Sequence, residues 1–364
     1  MRLETGFIVA MLIMSSFSCS RKQHSIYSPS LLMLEDSLDV IPEKSVRQIL
    51  EIDTSSLRGA DKAFYYFLLV KAQLTSDAPE LLLDKSDVAL SHFTKQKDSA
   101  RLCQLHFFLG KIYSGRYAFL RANASYSQAE RFAEKDSGMM FAIKVGEAYI
   151  YRFKMMHDME EKCLEHALDI ASEMKDSTLM AEALHELAEL RISEKNYTEA
   201  GQRLCKALSI LPQKEFSARA EYNKDLSRVC LAMNRPDSAL FYIDIALQND
   251  HSDEFELTCN VLKGNICLKM HRLKDAEHLF LKNIEKLPLK EKQDVYYKMA
   301  QLKKEEKDFQ AVSEYAERSI RCRDSLEVNN KAGYISNLNA FQEHERQQRR
   351  IANMNTKISE QEIS

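Results

Sequence analysis

Apolar residues recur three and four positions apart along most of the chain. Leu31, Leu32, Leu34 and Leu38 form one such face, and Val46, Ile49 and Leu50 form another after Pro42. The run Phe64–Val70 and the group Val88, Ala89 and Phe93 continue the pattern. This spacing predicts amphipathic helices, read as two degenerate helix pairs over residues 30–98, with the loop between them at Asp77-Ala78-Pro79. From residue 99 to 322 a larger unit recurs. One copy is Leu184-x-x-Leu187-Ala188, then Ala200-x-x-x-Leu204-x-x-Ala207, then Pro212. Others are built on Gly110 with Ala122, Ser227 with Ala239, and Gly264 with Ala276. A looser copy holds Gly146, Tyr149, Leu164 and Ala167, its second half two residues late, and a last one holds Met299 and Ala311. Between marker alanines the period is 35 to 39 residues.

Each unit reads as two helices joined by a short polar turn: Ser-Gly-Arg, Glu-Lys-Asn, Asn-Arg-Pro-Asp, His-Arg-Leu-Lys and Lys-Asp. The small residue of the first helix (Gly110, Ala188, Ser227, Gly264) is expected where the alanine of the second approaches, so the axes come close. One pair cannot bury its apolar face alone, and stacking closes the core. The pattern resembles the tetratricopeptide repeat, whose unit is a helix pair of 34 residues. The resemblance covers about six copies and implies an all-α, right-handed α-solenoid of antiparallel helix pairs.

Composition agrees. Nine Gly and six Pro in 364 residues leave too little turn material for a β-sandwich or barrel. Gly201 falls inside a second helix with no reason visible in the sequence. The 51 basic and 54 acidic residues nearly cancel, so charge points to no nucleic-acid partner. No H-E-x-x-H, Gly-rich phosphate loop or G-x-S-x-G occurs, and neither enzyme chemistry nor a cofactor is expected. Cys103-x-x-His106 and Cys163-x-x-His166 are each half of a zinc site without a second half, so no metal is expected and most of the cysteines read as small buried residues.

Gly6–Met14 is an apolar run too short to span a bilayer, and Ser15-Ser16-Phe17-Ser18-Cys19 follows. This resembles the lipobox of bacterial lipoproteins, except that Ser16 stands where the family usually has Leu. The resemblance implies a signal peptide over 1–18, lipidation of Cys19 and a linker over 19–29. An ordinary cleaved signal and a buried first helix are the alternatives. The implied location is the cell envelope of a Gram-negative bacterium, lipid-anchored and facing the periplasm.

Residues 323–364 are charged and sparse in apolar positions, and are read as a long C-terminal helix that caps the array or frays. Lipobox, array and polar helix together are similar to membrane-tethered tetratricopeptide regulators of Gram-negative bacteria. That resemblance implies a protein- or peptide-binding scaffold or, alternatively, the sensory half of a signalling or transcription regulator acting through its C-terminal helix as a dimer. The family presents its first helices along a groove. In this chain the groove positions are Phe107, Lys111, His185, Glu189, Lys224, Arg228 and Asn265. Family members that bind C-terminal carboxylates use Lys and Asn at such places, and here Arg228 stands where one Asn is expected. A solvated face with balanced charges is the alternative.

Overall fold

The structure, a computed structural model, describes residues 26–74, 85–133, 136–250, 252–282 and 284–328. The expected signal segment, Cys19, the Asp77-Ala78-Pro79 loop, and 329–364 of the C-terminal helix lie outside the described residues. Among the described residues every element is helical, and no helix is long and apolar enough to cross a membrane.

Two compact units divide the chain, Met1–Leu190 and Arg191–Ser364. The first holds α1 (Pro29–Val40), α2 (Pro42–Leu50), α3 (Gly59–Ala72), α4 (Ser86–Gln96), α5 (Ser99–Gly115), α6 (Phe119–Phe132), α7 (Ser137–Phe153), α8 (His157–Met174) and most of α9 (Ser177–Ser193). The second holds α10 (Tyr197–Ile210), α11 (Phe216–Ala232), α12 (Pro236–Asn249), α13 (Asp253–Lys269), α14 (Leu273–Leu281), α15 (Leu289–Glu305) and a helical run over 309–328. In the first unit α5 packs on α6 and α7 on α8. In the second α11 packs on α12 and α13 on α14.

The turn inside each pair is one motif used six times. It is three residues long, and its middle residue is left-handed: Tyr117, Met155, Lys195, Asn234, His271 and Lys307 have φ between 55° and 62°. The residue after it returns its N–H to a carbonyl five positions back, as Ala118 does to Tyr113 and Arg235 to Cys230. That bond closes a Schellman cap, which normally recruits glycine. Here other residues hold the conformation, which is how a chain so poor in glycine makes so many turns. Asn196 and Asp308 then cap the next helix, accepting from the N–H groups of Glu199 and Ala311.

The tips differ from the polar turns expected from sequence. Helix α5 continues through Gly115, so its tip is Arg116-Tyr117-Ala118, and the α7–α8 tip is Lys154-Met155-Met156. In both, large apolar side chains stand exposed.

The repeat is also more regular than the sequence suggested. Ala122, Ala200, Ala239 and Ala276 are each the fourth residue of their helix, and all are fully buried. In α8 that place belongs to Glu160, twelve residues after Ala148 as in the other pairs, so the looser copy carries no insertion. A buried carboxylate at an alanine position needs a partner, and Arg152 supplies it at 2.6 Å. At the end of the array the fourth position is Val312, one residue beyond Ala311. Successive fourth positions are 38, 40, 39, 37 and 36 residues apart.

Small residues let the helices close in, through two kinds of contact. The Ser227 hydroxyl donates to the Ala239 carbonyl at 2.7 Å, the approach expected from sequence. At Gly110 and Gly264 the neighbour is instead an aromatic ring one helical turn past the alanine. A Cβ on Gly110 would lie 2.6 Å from the Tyr126 ring, and one on Gly264 2.5 Å from Phe280. A Cβ on Gly146 would lie 2.6 Å from the same Tyr126 ring, so this ring packs against two glycines. Gly201 has only Val229 near, at 3.6 Å, so its packing does not require glycine.

Of the seven described cysteines only Cys103, Cys259 and Cys267 are buried, against the expectation for most of them; Cys163, Cys230 and Cys322 are half-buried and Cys205 is exposed. Cys103 donates to the Ala129 carbonyl at 3.2 Å, and burial pushes the thiols of Cys103 and Cys259 up to about 12. Thiols held that far from ionisation are poor nucleophiles and ligands. His106 of the first half-site stacks on Phe132, with ring centroids 6.1 Å apart.

Candidate functional site

In the first unit the expected groove residues sit among partners. Phe107 is buried, its ring centroid 6.0 Å from that of Tyr126. The Lys111 ammonium lies 5.7 Å from the Phe107 ring centroid. Burial pulls its pKa down to about 8, against the pull of Glu182. His185 is buried beside Glu182, and Glu189 is half-buried.

Sequence reasoning missed Glu182, which precedes Ala188 by six residues and reads as one more helix charge. It is buried, and its Oε2 accepts no hydrogen bond among the described residues. Burial, reinforced by Glu186, raises its pKa to about 8, opposed by His185 and Lys111. Other charges of this unit are paired. Lys144 bridges Glu130 at 2.8 Å and Glu147 at 3.0 Å, and Arg152 joins Glu160 to Glu186 at 2.8 Å.

In the second unit Lys224 pairs with Glu221 and stands 5.2 Å from the Phe255 ring centroid. Burial alone would lower its pKa, but Glu221 and Asp225 outweigh that and hold the ammonium charged. Arg228 pairs with Asp225 at 2.6 Å. Two acceptors in this unit are left over. Asn265 Oδ1 on α13 and Glu291 Oε2 on α15 are buried and accept no hydrogen bond among the described residues. Burial raises the Glu291 pKa, and the Lys224 charge opposes it, so the carboxyl lies within the field of that ammonium. Lys224, Asn265 and Glu291 thus bring a cation and two unsatisfied acceptors to first helices of one unit. Buried acceptors are rarely left empty, because each costs about 1–3 kcal/mol without a donor. Glu291, like Glu182, carries no sequence signal beyond a charge on a helix.

A family profile described as a tetratricopeptide repeat-like domain matches residues 122–304, half of the chain. The chain belongs to that family, and its fold is a tetratricopeptide-like helical solenoid. No curated protein matches it in sequence. Solved structures share the fold at low identity. RapI in its apo form is 14% identical with a TM-score of 0.58, over 73% of this chain and 99% of that one. A Rap protein complexed with Competence and Sporulation Factor is 13% identical with a TM-score of 0.53, over 88% and 96%. The apo form of the quorum sensor NprR from B. thuringiensis is 13% identical with a TM-score of 0.51, over 80% and 97%.

Proposed function

We propose that this chain is a non-catalytic scaffold that binds a peptide or an extended segment of another protein along its first helices. The observation that carries this reading is the buried, unsatisfied Asn265 Oδ1 in the unit that holds Lys224. A peptide backbone N–H fits the amide oxygen, and a carboxylate fits the ammonium. The Rap structure in complex with Competence and Sporulation Factor supports the reading, since it has the same fold with a partner bound. The scaffold is anchored through acylated Cys19 in a Gram-negative envelope and faces the periplasm. It uses no cofactor and binds no nucleic acid.

Panning the purified chain against immobilised random heptapeptides tests the binding half. Enrichment that is lost in Lys224→Ala with Asn265→Ala, at unchanged thermal stability, supports it. Enrichment equal in both proteins removes these residues from the site. Incorporation of radioactive palmitate into the chain but not into Cys19→Ala tests the anchor.

A further inference from the structure

We propose that the α5–α6 and α7–α8 tips of the first unit form a second membrane contact, an apolar cluster with a cationic rim that docks on anionic phospholipid. The cluster is built on rings in edge-to-face and tilted contact. The Phe153 centroid lies 5.3 Å from that of Tyr117, 5.8 Å from Phe119 and 4.9 Å from Tyr149. Around them Leu120 is 66% exposed, Met155 is 72% exposed, and Met156 and Met159 stand open as well. The rim is basic. The Lys154 ammonium lies 6.0 Å from the Phe119 ring centroid, and the Arg121 guanidinium 5.6 Å from that of Tyr113. Asp158 is the acidic neighbour at the start of α8.

Position and composition argue together. Tyr117 and Met155 are the left-handed residues of their turns, where a bulky side chain is disfavoured. The same place in the other four turns holds Lys195, Asn234, His271 and Lys307. An apolar group kept exposed at a strained position fits a surface that something covers. Side chains at turn tips can enter the headgroup region while lysine and arginine remain at the phosphates. The cationic rim complements an anionic bilayer. The location of that bilayer rests on the anchor reading above: the ten residues from Cys19 to Pro29 reach at most about 35 Å when extended. The patch itself does not depend on acylation.

The test uses the full chain carrying Cys19→Ala, so that no acyl group confuses the result. The protein has no Trp, so Leu120→Trp becomes a sole reporter on the patch, with Phe241→Trp on exposed α12 as its control. Vesicles of phosphatidylglycerol with phosphatidylcholine should shift the Leu120→Trp emission to the blue, less at high salt, and leave Phe241→Trp unchanged. Replacing Lys154→Gln, Met155→Ser and Met156→Ser together should lower vesicle partitioning at least tenfold, with helix content and melting retained. No shift, or equal shifts at both reporters, overturns the proposal. So does a shift that follows protein concentration without lipid, which would assign the patch to a second copy of the chain. Palmitate labelling is scored separately, so failure of the anchor leaves this result readable.

Discussion

Inside the helix pairs the left-handed turn residue is Tyr117 or Met155 in the first unit, and Lys195, Asn234, His271 or Lys307 in the second; the left-handed Lys97 and Lys175 of the first unit lie between pairs. The backbone is the same, down to the returning hydrogen bond that closes each cap. The buried polar groups differ as well. The first unit holds Lys111 and Glu182, each displaced by burial to about 8. In the second, Lys224 is kept charged by Glu221 and Asp225, and the unsatisfied groups include the neutral amide of Asn265. The repeat therefore specifies helices and caps, while chemistry is placed on positions that the repeat leaves open.

The largest effect should come from the place where the first unit breaks its own pattern. Arg152→Met removes the cation that compensates buried Glu160. It should destabilise the protein by about 3–5 kcal/mol in urea unfolding. A cost below about 1 kcal/mol would contradict the compensating role of Arg152.

Glu182 should give this unit a pH dependence of its own. Folding holds its proton up to about pH 8, whereas the unfolded chain releases it near the ordinary 4.5. Over that window the native state binds the extra proton, so stability falls as pH rises. Lys111 acts above it. Its folded pKa of about 8 lies below the ordinary 10.5, so stability is regained as pH rises from 8 towards 10.5. Glu182→Gln should thus stabilise on the order of 3 kcal/mol at pH 8 and little at pH 4. Equal effects at both values would show that Glu182 does not titrate in this window.

Aromatic packing against glycine is common to both units. Gly110→Ala and Gly264→Ala should each cost about 1–3 kcal/mol, because a ring must move. The loss should be greater at Gly110, whose ring is also confined by Gly146. Met155→Gly should instead gain about 0.5–1 kcal/mol by relieving the left-handed strain while removing part of the apolar tip. The smallest effect is at Gly201. Alanine there meets only Val229 and should stabilise α10 by about 0.5–1 kcal/mol.

Helix pairs and their period were legible because the fourth residue of most second helices is an alanine buried by construction. Glu160 and Val312 blurred the register of two copies, since a charge and a β-branched residue at that place do not read as small. Contact partners were less legible: spacing put Gly110 against Ala122, but Tyr126 lies one turn further on the same face, and a large ring fills the gap first. The turn geometry was invisible for another reason. Glycine is the usual sign of a left-handed cap, and none of the six middle residues is glycine. Of the expected groove, Phe107 is absorbed into the core by its contact with Tyr126. Asn265 stands out only because its oxygen has no donor among the described residues, which no spacing rule reports.

Titration calorimetry of a selected heptapeptide against wild type and Asn265→Ala tests the binding scaffold most directly. Affinity should fall by about 1–3 kcal/mol, roughly five- to more than a hundredfold, with the melting temperature unchanged or raised. Undiminished affinity in Asn265→Ala would contradict a groove in which that oxygen receives the ligand.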